Sequence, residues 1–471
     1  MSETDARQIE RLKTLLARQK EAFADQRHRP IDQRKADIQK VADLTKHHAE
    51  DIMAAISADY GVRSCAETQI AEIGFVISAA KHAKSHVGKW AKAKSASVPM
   101  TLAPGKAYVR REPKGVVGIV SPWNYPWQLA IAPLIAALAA GCRAIIKPSE
   151  LTPKTADLMS RLLAEAFDES QVAVVTGGPK VGEAFSQQKF GHLFYTGSTH
   201  VGRLVALAAA DNLVPVTLEL GGKSPAILTE DYEPADAASP LAWGKYFNAG
   251  QTCIAPDYVL APRSKVEATA EAVLGQVETF FPDYATDKDY TAVVSDRHHA
   301  RLTAMIEEAR AAGARILQPK GSESGNARKL APTIVIDPPV DSQLMKEEIF
   351  GPILPILPYD TLNDAIAFVN ERDHPLALYV YSRDKTLARS VLDRTLSGGA
   401  SVNASMLHMS VEGMPFGGVG ASGQGAYHGE HGFLTFTHER AVFEAPKWHP
   451  SRLIAPPYGK TFDFISKLQS K

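Results

Sequence analysis

The sequence predicts an α/β protein made of two doubly wound, Rossmann-like domains. The chain has 471 residues, about three times the length of a typical single domain. Runs of apolar, β-branched residues alternate with helical patterns of about 10–15 residues, which is typical of parallel βαβ units. The alternation starts again after Gly222, and this predicts a second domain of the same kind.

The first alternating region follows a helical pattern from Asp5 to about Trp90 and a connection, Lys94–Gly105, that is predicted to be extended. Strands are predicted at 115–120, 143–148, 171–177, 192–197 and 215–220. Helices are predicted at 127–140, 152–167, 180–187 and 201–210. Proline near the start of the second helix is typical of a helix N-terminus.

The second alternating region begins after the glycine pair at 221–222. Helices are predicted at 234–247, 264–281, 296–312 and 361–371, and strands at 257–261, 314–318, 332–336 and 376–382. A strand-like segment, 432–438, precedes a polar tail.

Composition excludes several classes of function. Hydrophobic residues make up 45% and charged residues 22%, as in ordinary soluble globular proteins. Lys plus Arg equals Asp plus Glu at 52 each, so no basic field favours nucleic acid or an anionic membrane. Three cysteines without metal-ligand spacing predict no metal site and a reducing, cytoplasmic location. The charged N-terminus has no apolar core of the kind that signal peptides need.

The stretch Gly115–Cys142 contains no charged residue and is long enough to suggest a membrane span. Its prolines and polar residues divide it into a strand, a turn and a helix. We therefore expect a buried strand followed by a buried helix.

Cys253 lies in a loop, FNAGQTCIAP (247–256), between a predicted helix and a predicted strand. A thiol beside Gly, Gln and Thr, near free main-chain N–H groups, suits a nucleophile whose thiolate and oxyanion product need donors. The alternative is a structural cysteine, a role that Cys65 and Cys142 suit better.

Glu219 ends the apolar run PVTLEL (215–220). A carboxylate buried there would be costly as a charge, so its pKa should rise, which is what a general base working near neutrality requires. The alternative is an edge-strand glutamate in solvent.

Two further turns follow predicted strands. In GSTHVG (197–202), Gly197, Ser198 and Gly202 would let main-chain amides approach a phosphate at a helix N-terminus, although a plain strand–turn–helix explains the pattern equally well. Lys147 and Glu150 follow another strand, at the carboxyl edge where doubly wound sheets bind ligands. They could hold ribose hydroxyls or form a solvated ion pair.

Asn124 lies in SPWNYPW (121–127), between aromatic residues and two prolines. An amide held that stiffly can serve as an oxyanion donor. EEIFGPILP (347–355) supplies one candidate acid for a sugar hydroxyl, and 411–425 is a glycine-rich loop whose role the residues alone do not indicate.

Taken together, these segments resemble the aldehyde dehydrogenase superfamily, and most closely its class 3 and coniferyl-aldehyde branch. From about residue 30 to 440 they follow the family's order: SPWNYP (121–126), KPSE (147–150), TGS (196–198), LELGGKSP (218–225), GQTC (250–253), EEIFGP (347–352) and PFGG (415–418). The most specific feature is LELGGKSP with the cysteine of GQTC 34 residues after its glutamate. The ending GASGQGAYHGEHGFLTFTH (420–438) indicates the class 3 branch.

The resemblance implies oxidation of an aldehyde to a carboxylic acid with NAD, or NADP, as the cofactor. Cys253 would form a thiohemiacetal, Asn124 and the Cys253 N–H would hold its oxyanion, and Glu219 would activate the water that hydrolyses the thioester. For the coenzyme, Lys147 and Glu150 would bind the adenosine ribose, the loop of Gly197, Ser198 and Gly202 the pyrophosphate, and Glu348 with Phe350 the nicotinamide half. His200 stands where longer relatives often have glutamate and receives no role.

The resemblance also implies the domain organisation. A coenzyme domain would comprise 1–90 and 113–221, a catalytic domain 222–423, and a bridging, oligomerisation element 91–112 with 424–447, before a tail at 448–471. Strand exchange through the bridging element would make a homodimer, because an exposed strand edge is otherwise a liability.

The residues leave three interpretations of the function open. The enzyme could hydrolyse its thioester with water, it could pass the acyl group to coenzyme A or phosphate, or the fold could serve as a non-catalytic binding protein. The presence of Glu219, Cys253 and Asn124 favours the first. Trp243, Phe247 and Trp123 could line a pocket for a medium-chain or aromatic aldehyde, such as a coniferyl-type one, or they could be core residues.

Overall fold

The structure, a computed structural model, describes residues 3–321, 326, 328–447, 451 and 455–469. In this part of the chain three sheets are surrounded by helices, and the predicted α/β fold class with two doubly wound sheets is confirmed.

The strands are numbered in chain order. They are β1 (Lys94–Ala96), β2 (Lys106–Pro113), β3 (Val116–Val120), β4 (Arg143–Lys147), β5 (Val172–Val174), β6 (His192–Thr196), β7 (Val216–Glu219), β8 (Pro225–Leu228), β9 (Tyr258–Pro262), β10 (Arg315–Leu317), β11 (Thr333–Ile336), β12 (Ile353–Tyr359), β13 (Ala377–Tyr381), β14 (Gly399–Val402), β15 (Gly423–Gln424) and β16 (Thr437–Glu444).

The α-helices are numbered in the same way. They are α1 (Glu3–Asp25), α2 (Ile31–His47), α3 (Ala49–Tyr60), α4 (Cys65–Thr68), α5 (Phe75–Trp90), α6 (Gln128–Ala140), α7 (Pro153–Ala166), α8 (Pro179–Ser186), α9 (Thr199–Ala210), α10 (Pro234–Tyr246), α11 (Val266–Phe280), α12 (Asp296–Ala311), α13 (Gln343–Lys346), α14 (Leu362–Asn370), α15 (Lys385–Arg394), α16 (Gly429–Thr435) and α17 (Lys460–Gln469).

The first large sheet has the strand order β15-β7-β6-β3-β4-β5, and all its neighbours are parallel except β15 with β7. From β3 the chain proceeds outward through β4 and β5, and it then returns to the other side of β3 for β6 and β7. The strand order therefore reverses between β3 and β6. In doubly wound sheets the crevice outside the carboxyl ends at such a point is where ligands bind.

The second large sheet has the order β10-β11-β12-β9-β8-β13-β14 and is parallel apart from β10. The sequence pattern predicted β9 to β11 and β13 but not β8, β14 or helix α15. These elements are four, four and ten residues long. A four-residue buried run such as Pro225–Leu228 carries too few residues for a period to be recognised.

The third sheet is antiparallel, with the order β1-β2-β16. It joins segments from the two parts of the chain that were predicted to form a bridging element, whereas the domain boundaries themselves stay a prediction. The predicted strand at 432–438 is wrong for most of its length: Gly429–Thr435 is helical, and the strand begins at Thr437. Phe433 and Phe436 are both fully buried, so packing against the core outweighs the β propensity of this segment.

The uncharged stretch 115–142 forms β3, a turn and α6, as predicted. Nearly every side chain of α6 is buried, because the helix packs among α2, α5 and α16 next to the first sheet. Within the described residues no helix combines the length and the apolar character that crossing a membrane requires. Of the predicted tail, 448–450, 452–454 and 470–471 lie outside the described residues, and the described part includes α17.

Candidate active site

A cavity of about 410 Å³ lies where the carboxyl ends of β3, β6 and β7 face the segments that precede β9 and β12. Its lining contains all three predicted catalytic residues: the thiol of Cys253, the carboxyl of Glu219 and the amide of Asn124. The lining residues are Pro122, Trp123, Asn124, Leu129, Thr196, Gly197, Ser198, Glu219, Leu220, Gly221, Cys253, Arg297, His298, Arg301, Glu347, Glu348 and Phe350.

Cys253 lies on the loop between α10 and β9 and is partly exposed to the cavity. Burial raises the pKa of its thiol, and the carboxyl groups of Glu348 and Glu219 raise it further, while main-chain N–H groups of Cys253 and Ile254 act in the opposite direction. The neighbouring Thr252 hydroxyl lies 2.6 Å from the Tyr125 hydroxyl, which ties the cysteine loop to the turn after β3. The thiol therefore needs a base before it can attack.

Glu219 is the last residue of β7 and is 2% exposed. Neither carboxyl oxygen has a hydrogen-bond partner among the described residues, and burial raises the pKa of the carboxyl well above its usual range. A carboxyl with two free oxygens on a cavity wall can bind a water molecule and take its proton. The structure thus excludes the alternative of a solvent-exposed edge glutamate.

Asn124 follows β3 and is 3% exposed. Its side-chain Nδ2 donates to the Gln251 carbonyl over 3.2 Å, two residues before Cys253 in the chain. The second hydrogen of the same Nδ2 is left for an acceptor in the cavity, as an oxyanion donor requires.

Glu348 approaches the opposite wall from the segment before β12. A Cβ at Gly221 would lie 2.2 Å from Glu348 Oε2, so the Glu348 carboxyl occupies the space that a side chain at position 221 would need. Burial and the charge of Asp257 raise the pKa of Glu348 to about 8, whereas a hydrogen bond from Gly222 opposes this. Phe350 follows with a left-handed backbone (φ 50°), and its ring lies edge-on to Trp123 at 5.3 Å.

The predicted coenzyme residues divide into two groups. Gly197 and Ser198 line the cavity, and the Ser198 side chain caps α9 by accepting from the Val201 N–H. Gly202 lies outside the lining, in the first turn of α9, where a Cβ would meet Leu220 Cδ2 at 2.5 Å. Its role here is close packing of helix against strand.

Lys147, the last residue of β4, forms an ion pair with Glu150, with Nζ 2.9 Å from Oε2, and both residues lie outside the lining. Burial raises the pKa of Tyr195 to about 12, and the nearby Glu150 adds to this effect. Because the Tyr195 hydroxyl donates to the Ser198 carbonyl, the ion pair and the Ser198 turn lie in the same region. His200, exposed in the first turn of α9, is not part of the lining either.

Of the three predicted pocket aromatics, Trp123 alone lines the cavity. Trp243 and Phe247 pack against each other with ring centroids 5.3 Å apart and belong to the main hydrophobic cluster, which also includes the partly buried Cys253.

Sequence reasoning missed three basic residues of the cavity, Arg297, His298 and Arg301, on the first turns of α12. Arg301 donates to the carbonyls of Glu348 and Ile349 and so holds the segment that carries Glu348. The one available signal was the Ser295 cap followed by a polar first turn in SDRHHARL (295–302), and such a turn is common on helices with no functional role.

Comparison with known proteins gives consistent results. The model of the aldehyde dehydrogenase family matches residues 1–442. A probable coniferyl aldehyde dehydrogenase of Caulobacter vibrioides is 45% identical over 455 residues, covering 95% of this chain and 94% of that protein. Aldehyde dehydrogenase family 3 member A2 of Mus musculus is 40% identical over 425 residues, covering 90% and 86%.

Solved structures agree with these relatives. The substrate-bound state of Staphylococcus aureus AldH superposes with a TM-score of 0.91 at 38% identity, over 97% of this chain and 99% of that chain. A Mycobacterium tuberculosis aldehyde dehydrogenase complexed with NAD+ gives a TM-score of 0.83 at 30% identity, over 92% and 90%.

Proposed function

The chain belongs to the aldehyde dehydrogenase family and is an NAD(P)-dependent aldehyde-oxidising enzyme, and we propose that it works through a Cys253 thioester that water hydrolyses. The observation that carries this proposal is the shared cavity of Cys253, Asn124 and Glu219, in which neither oxygen of the buried Glu219 has a hydrogen-bond partner among the residues that the structure describes.

Bond formation begins at the thiol. The Cys253 thiolate attacks the aldehyde carbon and gives a thiohemiacetal, whose oxyanion accepts hydrogen bonds from Asn124 Nδ2 and the Cys253 N–H. Because burial opposes the thiolate, the thiol gives up its proton to a water molecule of the cavity as the aldehyde binds, and Glu219 is kept for the later hydrolysis step.

Loss of the aldehyde hydrogen as hydride turns the thiohemiacetal into a thioester, and hydrolysis of this thioester is assigned to Glu219. The carboxylate accepts a proton from a water molecule, the hydroxide attacks the acyl carbon, and the carboxylic acid leaves as the cysteine sulfur is released. Its raised pKa fits this role, since a base of ordinary carboxyl strength would be too weak to accept a proton from water near neutrality.

The first sheet fits a dinucleotide at the reversal point between β3 and β6. Two buried polar atoms on the cavity wall, Thr196 Oγ1 and Glu348 Oε1, have no partner among the described residues and can accept or donate hydrogen bonds to such a ligand. Ser198 and the α9 N-terminus would hold phosphate, Lys147 and Glu150 the adenosine ribose, and Glu348 with Phe350 the nicotinamide half. When bound, the coenzyme supplies the acceptor for hydride. Glu150 would repel a 2′-phosphate, so NAD is favoured over NADP.

For the substrate we propose a coniferyl-type aromatic aldehyde or a medium-chain aldehyde. Trp123, Leu129 and Phe350 give the cavity an apolar wall that suits either. The relatives named coniferyl aldehyde dehydrogenases support the aromatic choice. A panel of coniferyl aldehyde and straight-chain aldehydes, each with NAD and with NADP, separates these alternatives by kcat/KM.

An acylating reaction with coenzyme A or phosphate is the main alternative. A water-activating Glu219 would compete with any other acyl acceptor, so the geometry favours hydrolysis. NADH formation measured spectrophotometrically with and without coenzyme A tests this. Carboxylate product at an unchanged rate in both supports hydrolysis, a requirement for coenzyme A would contradict it, and a lack of NADH with every aldehyde would indicate a binding protein.

We also propose a homodimer in the cytoplasm. β16 forms an edge of the antiparallel sheet and most of its side chains are exposed, so a second copy can extend the sheet there. The described cysteines are unpaired, as expected in a reducing compartment. Light scattering at micromolar concentration tests the dimer, and a monomer would contradict it.

A further inference from the structure

A buried ion pair lies behind the turn that carries Asn124. The side chains of Arg63 and Glu72 are both fully buried, with Arg63 Nη2 3.4 Å from Glu72 Oε1. Arg63 precedes α4, and Glu72 belongs to the π-helical turn Gln69–Gly74. Burying two charges costs free energy unless further hydrogen bonds compensate. The groups that hydrogen-bond to this pair therefore indicate which part of the fold the pair stabilises.

Those partners all belong to the Asn124 turn and the start of α6. Arg63 Nη1 donates to the Asn124 carbonyl over 2.7 Å. Glu72 Oε2 accepts from the N–H groups of Trp127 at 2.7 Å and Gln128 at 3.0 Å. The cation therefore holds the carbonyl at one end of this five-residue segment, and the anion holds the amides at the other end.

The Asn124 carbonyl also receives a bond from the cysteine side of the cavity. Asn248 Nδ2 donates both to the Asn124 carbonyl at 3.1 Å and to the Gln251 carbonyl at 3.2 Å. Because Asn124 Nδ2 donates to the same Gln251 carbonyl, the turn and the cysteine loop are joined at two points.

The plane of the guanidinium is fixed as well. Arg63 Cζ lies 5.0 Å from the centroid of the Tyr60 ring and 4.9 Å from that of Tyr125. The Tyr60 hydroxyl adds a further hydrogen bond to the Asn124 carbonyl at 3.2 Å. A planar donor that packs against two rings positions its acceptor more closely than a flexible ammonium can.

We infer that Arg63 is a positioning residue, which holds Asn124 at the distance from Cys253 that stabilises the oxyanion. The inference rests on the proposed role of Asn124. Oxyanion donors act only within about 2.7–3.1 Å of the developing charge, and a misplacement of about 1 Å can cost about a hundredfold in rate. Arg63 is fully buried and does not belong to the lining of the cavity, so we expect its contribution to pass through Asn124.

The test compares Arg63→Lys, Asn124→Ala and the double variant by stopped-flow measurement of the NADH burst. Arg63→Lys keeps a positive charge beside Glu72 but loses the planar fork. We expect a burst about tenfold slower or more, with the coenzyme KM within about twofold of wild type. The double variant should be no slower than Asn124→Ala alone, since the effect of Arg63 requires the amide. A merely structural role would instead multiply the two losses.

Arg34→Lys is the matched control. Arg34 is 6% exposed and donates to the Ala139 carbonyl, near the opposite end of α6. It makes the same kind of buried arginine–carbonyl bond far from Asn124, and its variant should lose thermal stability while keeping the wild-type burst. Should Arg63→Lys fail to fold, Tyr60→Phe removes one hydroxyl from the same carbonyl, and its smaller loss should also disappear in the Asn124→Ala background.

The outcomes separate this inference from the proposed function. Two results would overturn the inference but not the proposed function. One is a slow NADH burst in Asn124→Ala together with a wild-type burst rate in Arg63→Lys. The other is a double variant in which the two rate losses multiply. A wild-type burst in Asn124→Ala would remove the oxyanion role of Asn124 and the inference with it.

Discussion

The two large sheets contribute residues to the cavity from opposite ends of their strands. Asn124, Ser198 and Glu219 come from turns at the carboxyl ends of β3, β6 and β7, where doubly wound sheets bind ligands. Cys253 and Glu348 come from segments that precede β9 and β12, at the amino ends of the second sheet. The first sheet follows the general rule for such folds, and the second does not.

The backbone conformations differ in the same way. On the second-sheet side, Asn248, Ala249 and Phe350 adopt left-handed conformations with φ of 53°, 50° and 50°, which non-glycine residues rarely do. Over the turn 121–127 of the first sheet the structure shows no positive φ. The nucleophile side is thus held in an unusual local geometry, whereas the base and the amide follow from ordinary strand–turn–helix units.

The largest loss of activity should follow a substitution on the second-sheet side of the cavity. Cys253→Ala removes the nucleophile, and we expect kcat to fall by about 10⁴-fold or more. NADH formation at saturating aldehyde measures it. Cys65→Ala and Cys142→Ala are the controls: Cys65 is exposed and Cys142 is buried with its thiol directed to the Phe436 carbonyl, so both should keep most turnover. An active Cys253→Ala enzyme would make the nucleophile assignment wrong.

A smaller and more selective effect is expected at the edge of the first sheet. Lys147→Ala should raise the KM for coenzyme about tenfold and leave the aldehyde KM nearly unchanged, because Lys147 lies outside the cavity that holds Cys253. Lys154→Ala, an exposed lysine on α7, should change neither constant. Equal coenzyme KM values for the Lys147 variant and wild type, both at saturating aldehyde, would exclude Lys147 from the coenzyme site.

The smallest effect concerns the pH dependence of coenzyme binding. Burial raises the pKa of Glu348 to about 8, so the carboxyl is neutral below that pH and becomes a stronger hydrogen-bond acceptor above it. We expect the coenzyme KM to fall a few-fold as the pH rises through about 8, and Glu348→Gln to abolish this change. A KM that is independent of pH in wild type would contradict a ribose contact through Glu348.

The same comparison explains what the sequence could and could not predict. Periodicity located β3, β6 and β7, and the residues at the ends of these strands indicated Asn124 as an oxyanion donor, Ser198 as a phosphate contact and Glu219 as a base. The composition of its loop likewise indicated Cys253 as a nucleophile, whereas the family resemblance supplied the nicotinamide role of Glu348. Neither the sequence patterns nor the family resemblance identified Arg301 and Arg63. Each donates hydrogen bonds to main-chain carbonyls that are near it only in the folded chain.

For the aromatic residues near the motifs the sequence left two alternatives open. Trp243 and Phe247, in α10 and the loop after it, could line a substrate pocket or belong to the core. In the structure they pack on each other in the hydrophobic cluster, outside the lining of the cavity. Closeness along the chain does not determine which face of a helix a side chain occupies. Of these three aromatic residues only Trp123, which follows a strand of the first sheet, lines the cavity.

The central claim is that the first sheet supplies the base for hydrolysis and the second the nucleophile. Glu219→Gln tests it most directly, because it keeps the shape of the side chain and removes the base, and general-base assistance is worth about 10²- to 10⁴-fold. The measurement is intact-mass spectrometry of the variant after one burst with aldehyde and NAD. We expect close to one NADH per active site and an acyl adduct on Cys253 that persists. A variant that turns over at the wild-type rate with no adduct would contradict the claim.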